Sequence, residues 1–228
     1  MDQSFSLVDT LAVADLQTYL SRAARVEEGS VRLIAGSGVL AVYTAILYPR
    51  GLLDETPTVL GLRTFATGGG VEFDAVVPIR SLLDRVARAR EGAEAAADEA
   101  GPVEIRLPLE VSTVTWAGIS PPRGGWQKVG ETSSSLLQST AKSGVAEVAE
   151  AVPTGTGEQL VQRVRAEVWG RPIDGLEYIP AGAAFAADSL GFAGDDDVVT
   201  IHETGPWTRL TTRRGHTLVR RVSWSLRR

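Results

Sequence analysis

Two histidines near the C-terminus, His202 and His216, carry the side chains best suited to acid–base or metal chemistry in this chain. Glu203 adjoins the first, and three consecutive aspartates occupy 195–197. Imidazole and carboxylate groups together can bind a divalent metal ion. A run of aspartates is nevertheless more typical of a loop, and a histidine on an edge strand is usually just solvated. The sequence therefore predicts no metal site and no catalytic residue, and a hydrolase or metal-dependent enzyme is the least favoured of three functional hypotheses.

Two further motifs match catalytic or cofactor patterns only formally. Ser139 and Lys142 have the S-x-x-K spacing that places a lysine one turn from a serine nucleophile, but no S-D-N or K-T-G motif accompanies them. Gly36-Ser37-Gly38 opens a G-x-G-x-x-A pattern, but a strand-like sequence follows where a dinucleotide site needs the start of a helix. The first pattern predicts a solvated helix face and the second a hairpin turn, so no cofactor is expected.

The loop that contains Arg123, Gly124, Gly125 and Trp126 is the best small-ligand candidate. Adjacent glycines can turn backbone N–H groups toward an anion, and a guanidinium adds a charged donor. A loop that is merely anchored by its tryptophan is the favoured alternative. These four residues are therefore kept as a candidate ligand- or anion-binding site.

Charge is segregated by sign along the chain. All 28 acidic residues lie at or before Glu203, whereas the last 25 residues carry seven arginines and no acid. A basic patch of this kind attracts anionic partners, or docks on an acidic protein surface. The arginines in the last two predicted strands and in the turn between them are candidate contacts for a partner or for nucleic acid, and they are Arg209, Arg213, Arg214, Arg220 and Arg221.

Nucleic-acid association is the second functional hypothesis. Three predicted helices followed by a hairpin suggest a winged helix, but the helix in the recognition position, 181–190, has no basic residue and few groups that could read a base edge. Phosphate contacts from the hairpin alone would be weak and sensitive to salt. We therefore favour self-association or a protein partner at the C-terminal basic sheet over nucleic acid.

Apolar periodicity organises the first half of the chain. It predicts a helix that begins at Asp9 or Thr10 and ends near Val26, and a second helix that begins at Pro78. Four strands are predicted between these helices, at 31–33, 39–48, 58–67 and 71–76. An alanine- and glutamate-rich seam at 91–102 ends in Gly-Pro, which predicts a domain boundary after an α-β-β-β-β-α domain over residues 1–101.

The second half, residues 102–228, reads as a mixed domain. Extended segments are predicted at 103–107 and 111–116, helices at about 133–142, 145–152, 157–169 and 181–190, and strands at 198–202, 207–212 and 216–224. Gly144 and Pro153 are expected to separate the first three helices. Thr156 has capping-box spacing for the third, whose Leu160 is expected to face inward. The predicted fold class is α+β, with an N-terminal antiparallel sheet flanked by helices and a C-terminal helical cluster followed by a β-hairpin or small sheet.

The bulk composition bounds the class of protein. With 228 residues and 43% hydrophobic content, the chain can bury a sizeable core as one or two domains. It has no cysteine, which excludes disulfides and thiolate metal sites. Its longest apolar run, 39–48, is too short to span a bilayer, and its N-terminus lacks the pattern of a signal peptide. We expect a cytoplasmic protein without a membrane segment.

Four longer motifs carry a resemblance to a known family. They are SPPRGGW at 120–126, VRAEVWGRP at 164–172, PAGAAFAADSLGF at 180–192 and WTRLTTRRGH at 207–216. The combination resembles an uncharacterised actinobacterial two-domain protein family of unknown function. That resemblance implies a two-domain architecture and transfers no catalytic residue. The favoured hypothesis is therefore a non-catalytic binding, regulatory or assembly module.

Overall fold

The computed structural model describes residues 3–51, 54, 56–96, 101–112, 114–118, 120–153 and 155–221. Helices and antiparallel strands in these residues confirm the α+β class. The elements in chain order are β1 (Ser4–Leu7), α1 (Thr10–Val26), β2 (Ser30–Gly36), β3 (Val39–Leu47), β4 (Thr58–Ala66), β5 (Phe73–Pro78), α2 (Ile79–Ala95), β6 (Val103–Arg106), β7 (Gln127–Ser133), α3 (Ser134–Ala151), α4 (Glu158–Gly170), β8 (Pro172–Ile173), β9 (Leu176–Pro180), α5 (Ala181–Ser189), β10 (Val198–Thr204), β11 (Trp207–Thr211) and β12 (His216–Arg220).

The main sheet has eight strands in the order β5-β2-β3-β4-β12-β11-β10-β7. The chain divides into two compact units, the first made of Met1–Thr44 and Leu62–Gly118, and the second of Ala45–Gly61 and Ile119–Arg228. Strands β3 and β4 therefore each contribute residues to both units. No helix in the described ranges is long and apolar enough to cross a membrane.

This division differs from the predicted boundary at 101/102. Strand β6, which follows the alanine-rich seam, pairs with β1 and places Ser4 opposite Arg106, so that residues beyond the seam belong to the first unit. Part of the seam, 97–100, lies outside the described residues. That the two halves fold as separate domains stays a prediction.

The first unit contains the N-terminal elements that the periodicity predicted. Helix α1 begins where expected, because the Asp9 carboxylate accepts a hydrogen bond from the Ala12 N–H at 2.7 Å. Its apolar stripe, which includes Leu16 and Leu20, is buried, and α1 packs against α2. Helix α2 begins one residue later than predicted, so that Pro78 is its N-cap and not its first helical residue.

The helices of the second unit pack against one another, and α5 also packs against β12. Helix α5 contacts α3, α4 and β12, and Ala183, Ala184 and Ala186 are fully buried. Trp169 stacks on Phe185 with ring centroids 4.4 Å apart. Helix α5 is thus a packing helix rather than a recognition helix, as its composition predicted.

Several local predictions for the second half were wrong. Gly144 does not end a helix, because α3 runs through it from Ser134 to Ala151. The expected capping box does not form: the Thr156 hydroxyl donates to the Pro153 carbonyl, and α4 has Gly157 at its N-cap without a side-chain cap. Leu160 is 49% exposed instead of facing inward.

Other segments also differ from the prediction. The segment predicted to be extended at 111–116 contains the start of a short 3-10 helix over Thr115–Gly118. Strands β1, β7, β8 and β9 were not predicted. Strand β7, with the sequence QKVGETS, is almost entirely exposed, so no alternation of buried residues marks it.

Candidate functional site

Strands β7, β10 and β11 bring three basic side chains into one row. His202 on β10 lies directly opposite Arg209 on β11 and opposite Lys128 on β7. Directly opposed residues of neighbouring strands share a face of the sheet, with Cβ atoms about 5 Å apart. Lys128, His202 and Arg209, termed the basic row below, are therefore neighbours on that face.

A β-bulge brings Lys128 into this row. Gly130 is opposite Ile201 and Lys128 is opposite His202, so Val129 is the extra residue of β7. A bulge of this kind re-aims the side chains that follow it along the strand. Without it, Val129 would face His202, and the row would lose one of its three basic groups.

Trp126 covers one end of the row. The Arg209 Cζ atom lies 4.6 Å from the centroid of the Trp126 ring, within the range of a cation–π interaction. The indole N–H donates to the Pro122 carbonyl at 3.1 Å. Gly125 has φ +77°, and a Cβ atom there would lie 3.3 Å from the Thr204 hydroxyl, so the loop lies close to the end of β10.

Two side-chain nitrogen atoms of the basic row are buried without a hydrogen-bond partner among the described residues. They are Nε of Arg209 and Nδ1 of His202. A buried polar atom without a partner costs stability, and an arginine cannot avoid that cost by losing its proton. A buried guanidinium N–H without an acceptor is a reason to look for an external one.

The surroundings favour the neutral form of both histidines. Burial, followed by the charges of Arg209 and Lys128, lowers the pKa of His202. Burial, with smaller contributions from Arg209 and His202, lowers the pKa of His216 from 6.5 to about 4. His216 Nδ1 lies 3.1 Å from the Thr211 hydroxyl, its neighbour across β11 and β12. Burial also lowers the pKa of Arg209.

The other predicted arginines are divided between internal partners and solvent. Arg213 pairs with Asp197 at 3.4 Å, and Arg221 pairs with Glu203 at 2.9 Å and donates to the Gly205 carbonyl. Arg214 and Arg220 are exposed. Arg227 and Arg228 lie outside the described residues. Arg213 and Arg221, which lie on either side of β12, thus pair with carboxylates of their own unit.

The two candidate sites from the sequence meet at one point. Trp126 from the glycine loop and Arg209 from the basic strands are in contact, whereas Arg123 and Gly124 are exposed. The sequence did not single out Lys128, because β7 was not recognised as a strand. The position of Lys128 opposite His202 depends on the strand register and on the bulge, which no sequence pattern shows.

The residues considered for metal binding and for serine–lysine chemistry have other contacts in the structure. Among the described residues, no group of three or more histidine, aspartate or glutamate side chains could hold a metal ion. Glu203 is engaged by Arg221. The Ser139 hydroxyl donates to the Leu136 carbonyl at 2.9 Å, and Lys142 is exposed.

The glycine pair near the N-terminus forms a hairpin turn, as predicted. Ser37 has φ 52° and Gly38 has φ 79°, and these two residues join β2 directly to β3. The last residue of β2, Gly36, pairs with the first residue of β3, Val39. Two positive φ angles in succession are typical of the tight turns of hairpins. No helix begins there, so the motif lacks the structural setting of a dinucleotide site.

Comparison with known families agrees with a two-part organisation. A family model described as "Domain of unknown function (DUF8010)" matches residues 1–105, and one described as "Domain of unknown function (DUF8185)" matches residues 121–224. The chain carries two domains of unknown function. The basic row and Trp126 all lie within the DUF8185 region. No match was found among curated proteins.

Solved structures show which fold the chain has. A DnaN sliding clamp (DNA polymerase III subunit beta) from Bartonella birtlesii matches at 13% identity and a TM-score of 0.51, over 98% of this chain and 66% of that one. The pol III beta of Caulobacter crescentus matches at 10% identity and a TM-score of 0.51, over 99% and 66%. The chain thus has a fold like that of sliding clamps and spans just under two thirds of the length of these proteins.

Proposed function

We propose that this chain is a non-catalytic binding and assembly module that docks an acidic segment of a partner protein at the basic row and Trp126. The observation that carries the proposal is the contact between Arg209 and Trp126, which joins the glycine loop to the basic strands. Tryptophan and arginine are the residues most often found at the centre of protein interfaces. Here they form a preassembled pair beside Lys128 and His202.

Charge favours an acidic partner at this face. The basic row contains no carboxylate in its cross-strand register, and Arg220, exposed on the same face, lies opposite Trp207. Glu131 shares the face and pairs with Lys128 at 2.5 Å. Both side chains of that pair are about half exposed, and an exposed ion pair is easily exchanged for a partner's carboxylate.

Nucleic-acid association is the second candidate. It is supported by the excess of arginine in residues 204–228 and by the clamp-like fold, since the clamps of similar structure are described as DNA polymerase subunits. Three of the five predicted arginine contacts already have partners in the second unit, as described above. Helix α5 also has no basic residue with which to act as a recognition helix in the major groove.

Fluorescence anisotropy of the full chain tests both candidates. A labelled poly-glutamate peptide and a labelled DNA duplex are titrated at low and at physiological salt. We expect the peptide to bind, and Arg209→Gln to weaken that binding at least about tenfold, as for loss of a central arginine in an interface. Arg214→Gln, an exposed arginine on the turn before β12, is the matched control and should bind like the wild type.

The titration with the DNA duplex tests nucleic-acid association. Phosphate contacts alone would give DNA affinity that falls with salt by about 0.9 logarithmic units per contact and shows little sequence preference. Sub-micromolar, sequence-dependent DNA binding at physiological salt, abolished by Arg213→Glu/Arg214→Glu, would establish nucleic-acid association instead. A change in self-association of that double mutant by sedimentation, without DNA binding, would support an assembly role.

A further inference from the structure

We propose that the basic row is an oxyanion site for a phosphoryl group, and that occupation of the site takes up a proton on His202. The inference rests on the proposed function, because it names the chemical group of the partner that this face would recognise. Its ligand class is a tetrahedral dianion with several acceptor oxygens, either free or carried on a side chain of the partner.

The unsatisfied donors supply the first part of the argument. Nε of Arg209 is a donor at any accessible pH, and it is buried without an acceptor in the described residues. Nδ1 of His202, from the strand beside it, is also buried without a partner. Whole side chains of both residues are only partly buried, so solvent reaches the cluster. An anion with several oxygens would accept from Nε of Arg209 and, once the imidazole is protonated, from Nδ1 of His202 as well.

The number of positive groups supplies the second part. Arg209 and Lys128 flank His202 from the two neighbouring strands, and residues two interstrand spacings apart are about 10 Å from each other. An anion above His202 would lie between the two cations. A dianion there would be attracted by both cations and would offset the repulsion between them.

Protonation of His202 follows from the groups around it. Arg209 from β11 and Lys128 from β7 oppose its charge, Glu131 from β7 is held by Lys128, His216 from β12 is neutral, and Glu203 on its own strand is held by Arg221. Without an anion, the imidazole is therefore neutral near pH 7. A bound dianion reverses the sign of the local field and favours the imidazolium. The proton comes from solvent, and the charged ring adds a second donor.

Trp126 gives the site an optical readout. Its ring lies over the Arg209 guanidinium and therefore covers the approach to it. An oxyanion that binds the guanidinium changes the net charge beside the ring. The fluorescence of Trp126, compared with that of a Trp126→Phe variant, should report occupation.

The test uses the full chain with inorganic sulfate, a dianion whose charge does not change near neutral pH, at constant ionic strength set with chloride. The two histidines are followed by NMR, and His202→Gln identifies the resonances of His202. We expect sulfate to raise the apparent pKa of His202 and to bind several-fold more tightly near pH 6 than near pH 8. Arg209→Gln and Lys128→Gln should each weaken binding about tenfold or more, whereas Arg214→Gln should not.

Further ligands show whether the bound anion is free or carried on a side chain. Inorganic phosphate and O-phosphoserine distinguish a free anion from a phosphorylated side chain, and acetate tests whether any carboxylate suffices. Sulfate that leaves His202 unchanged, or that binds equally to Arg209→Gln and Arg214→Gln, would overturn the oxyanion site. If the poly-glutamate peptide still binds through Arg209 in that case, the proposed function stands without the inference; if neither probe binds, both fail. Circular dichroism of each variant confirms that it folds.

Discussion

Gly144, in the middle of α3, lies against the indole of Trp169 in the neighbouring helix α4. A Cβ atom at position 144 would lie 2.6 Å from Cη2 of that ring, closer than two carbon atoms can approach. Trp169 is itself 2% exposed and stacks on Phe185 of α5. The glycine therefore allows α3, α4 and α5 to pack closely, which explains why a residue that normally weakens a helix occurs at its centre.

Gly144→Ala should destabilise the protein although alanine is the better helix former. Alanine would favour the helix by about 1 kcal/mol, but overpacking against a buried indole costs about 1–3 kcal/mol. Gly92→Ala is the matched control, because Gly92 lies in α2 with no atom near its missing Cβ. Urea unfolding should show lower stability for the first variant and higher stability for the second. Equal gains in both would contradict the packing described here.

Ser134→Ala should destabilise the start of α3. The fully buried Ser134 hydroxyl accepts a hydrogen bond from the Asp197 N–H at 3.0 Å, and the Ser134 N–H donates to the Asp197 carbonyl at 3.0 Å. Loss of the hydroxyl leaves the Asp197 N–H without its acceptor, at a cost of about 1–3 kcal/mol. Ser143→Ala, at an exposed position later in the same helix, serves as control and should change stability by less than about 0.5 kcal/mol. Thermal unfolding of both variants measures the difference.

His216 should make folding stability depend on pH. Its pKa is about 4 in the folded protein and ordinarily 6.5, so the unfolded chain binds more protons between these values. Stability from this residue is complete above about pH 6.5 and is lost as the pH falls toward 4, by about 2 kcal/mol between pH 7 and pH 5.

Denaturant titrations of the wild type and His216→Gln at several pH values measure this contribution. The variant should lose less stability on acidification than the wild type. Parallel pH profiles for the two proteins would show that the His216 ring is not buried in its neutral form.

The contact between Arg209 and Trp126 should appear as an energetic coupling. A double-mutant cycle with Arg209→Ala and Trp126→Ala should give an interaction free energy of about 0.5–2 kcal/mol, the range for a partly desolvated cation–π pair. The same cycle with Arg214→Ala in place of Arg209→Ala should give additive effects. A coupling near zero for both cycles would remove the structural basis of the candidate site.

Local sequence determined much of the first unit. The apolar repeat of α1 and its Asp9 cap, the apolar face of α2 and the turn at Ser37 and Gly38 each act within a few residues, so the pattern alone predicted them. The segregation of charge also indicated Arg209 as a candidate contact, and the glycine loop indicated Trp126.

Tertiary structure decided the rest, because the deciding neighbours are distant in sequence. Gly144 continues a helix only because the ring of Trp169 occupies the space beside it, and β7 is a strand only because β10 supplies its hydrogen-bond partners. The basic row depends on the register of three strands and on one extra residue in β7, which places Lys128 opposite His202. Side-chain types fixed which groups could bind an anion, but only strand pairing and the bulge brought them together.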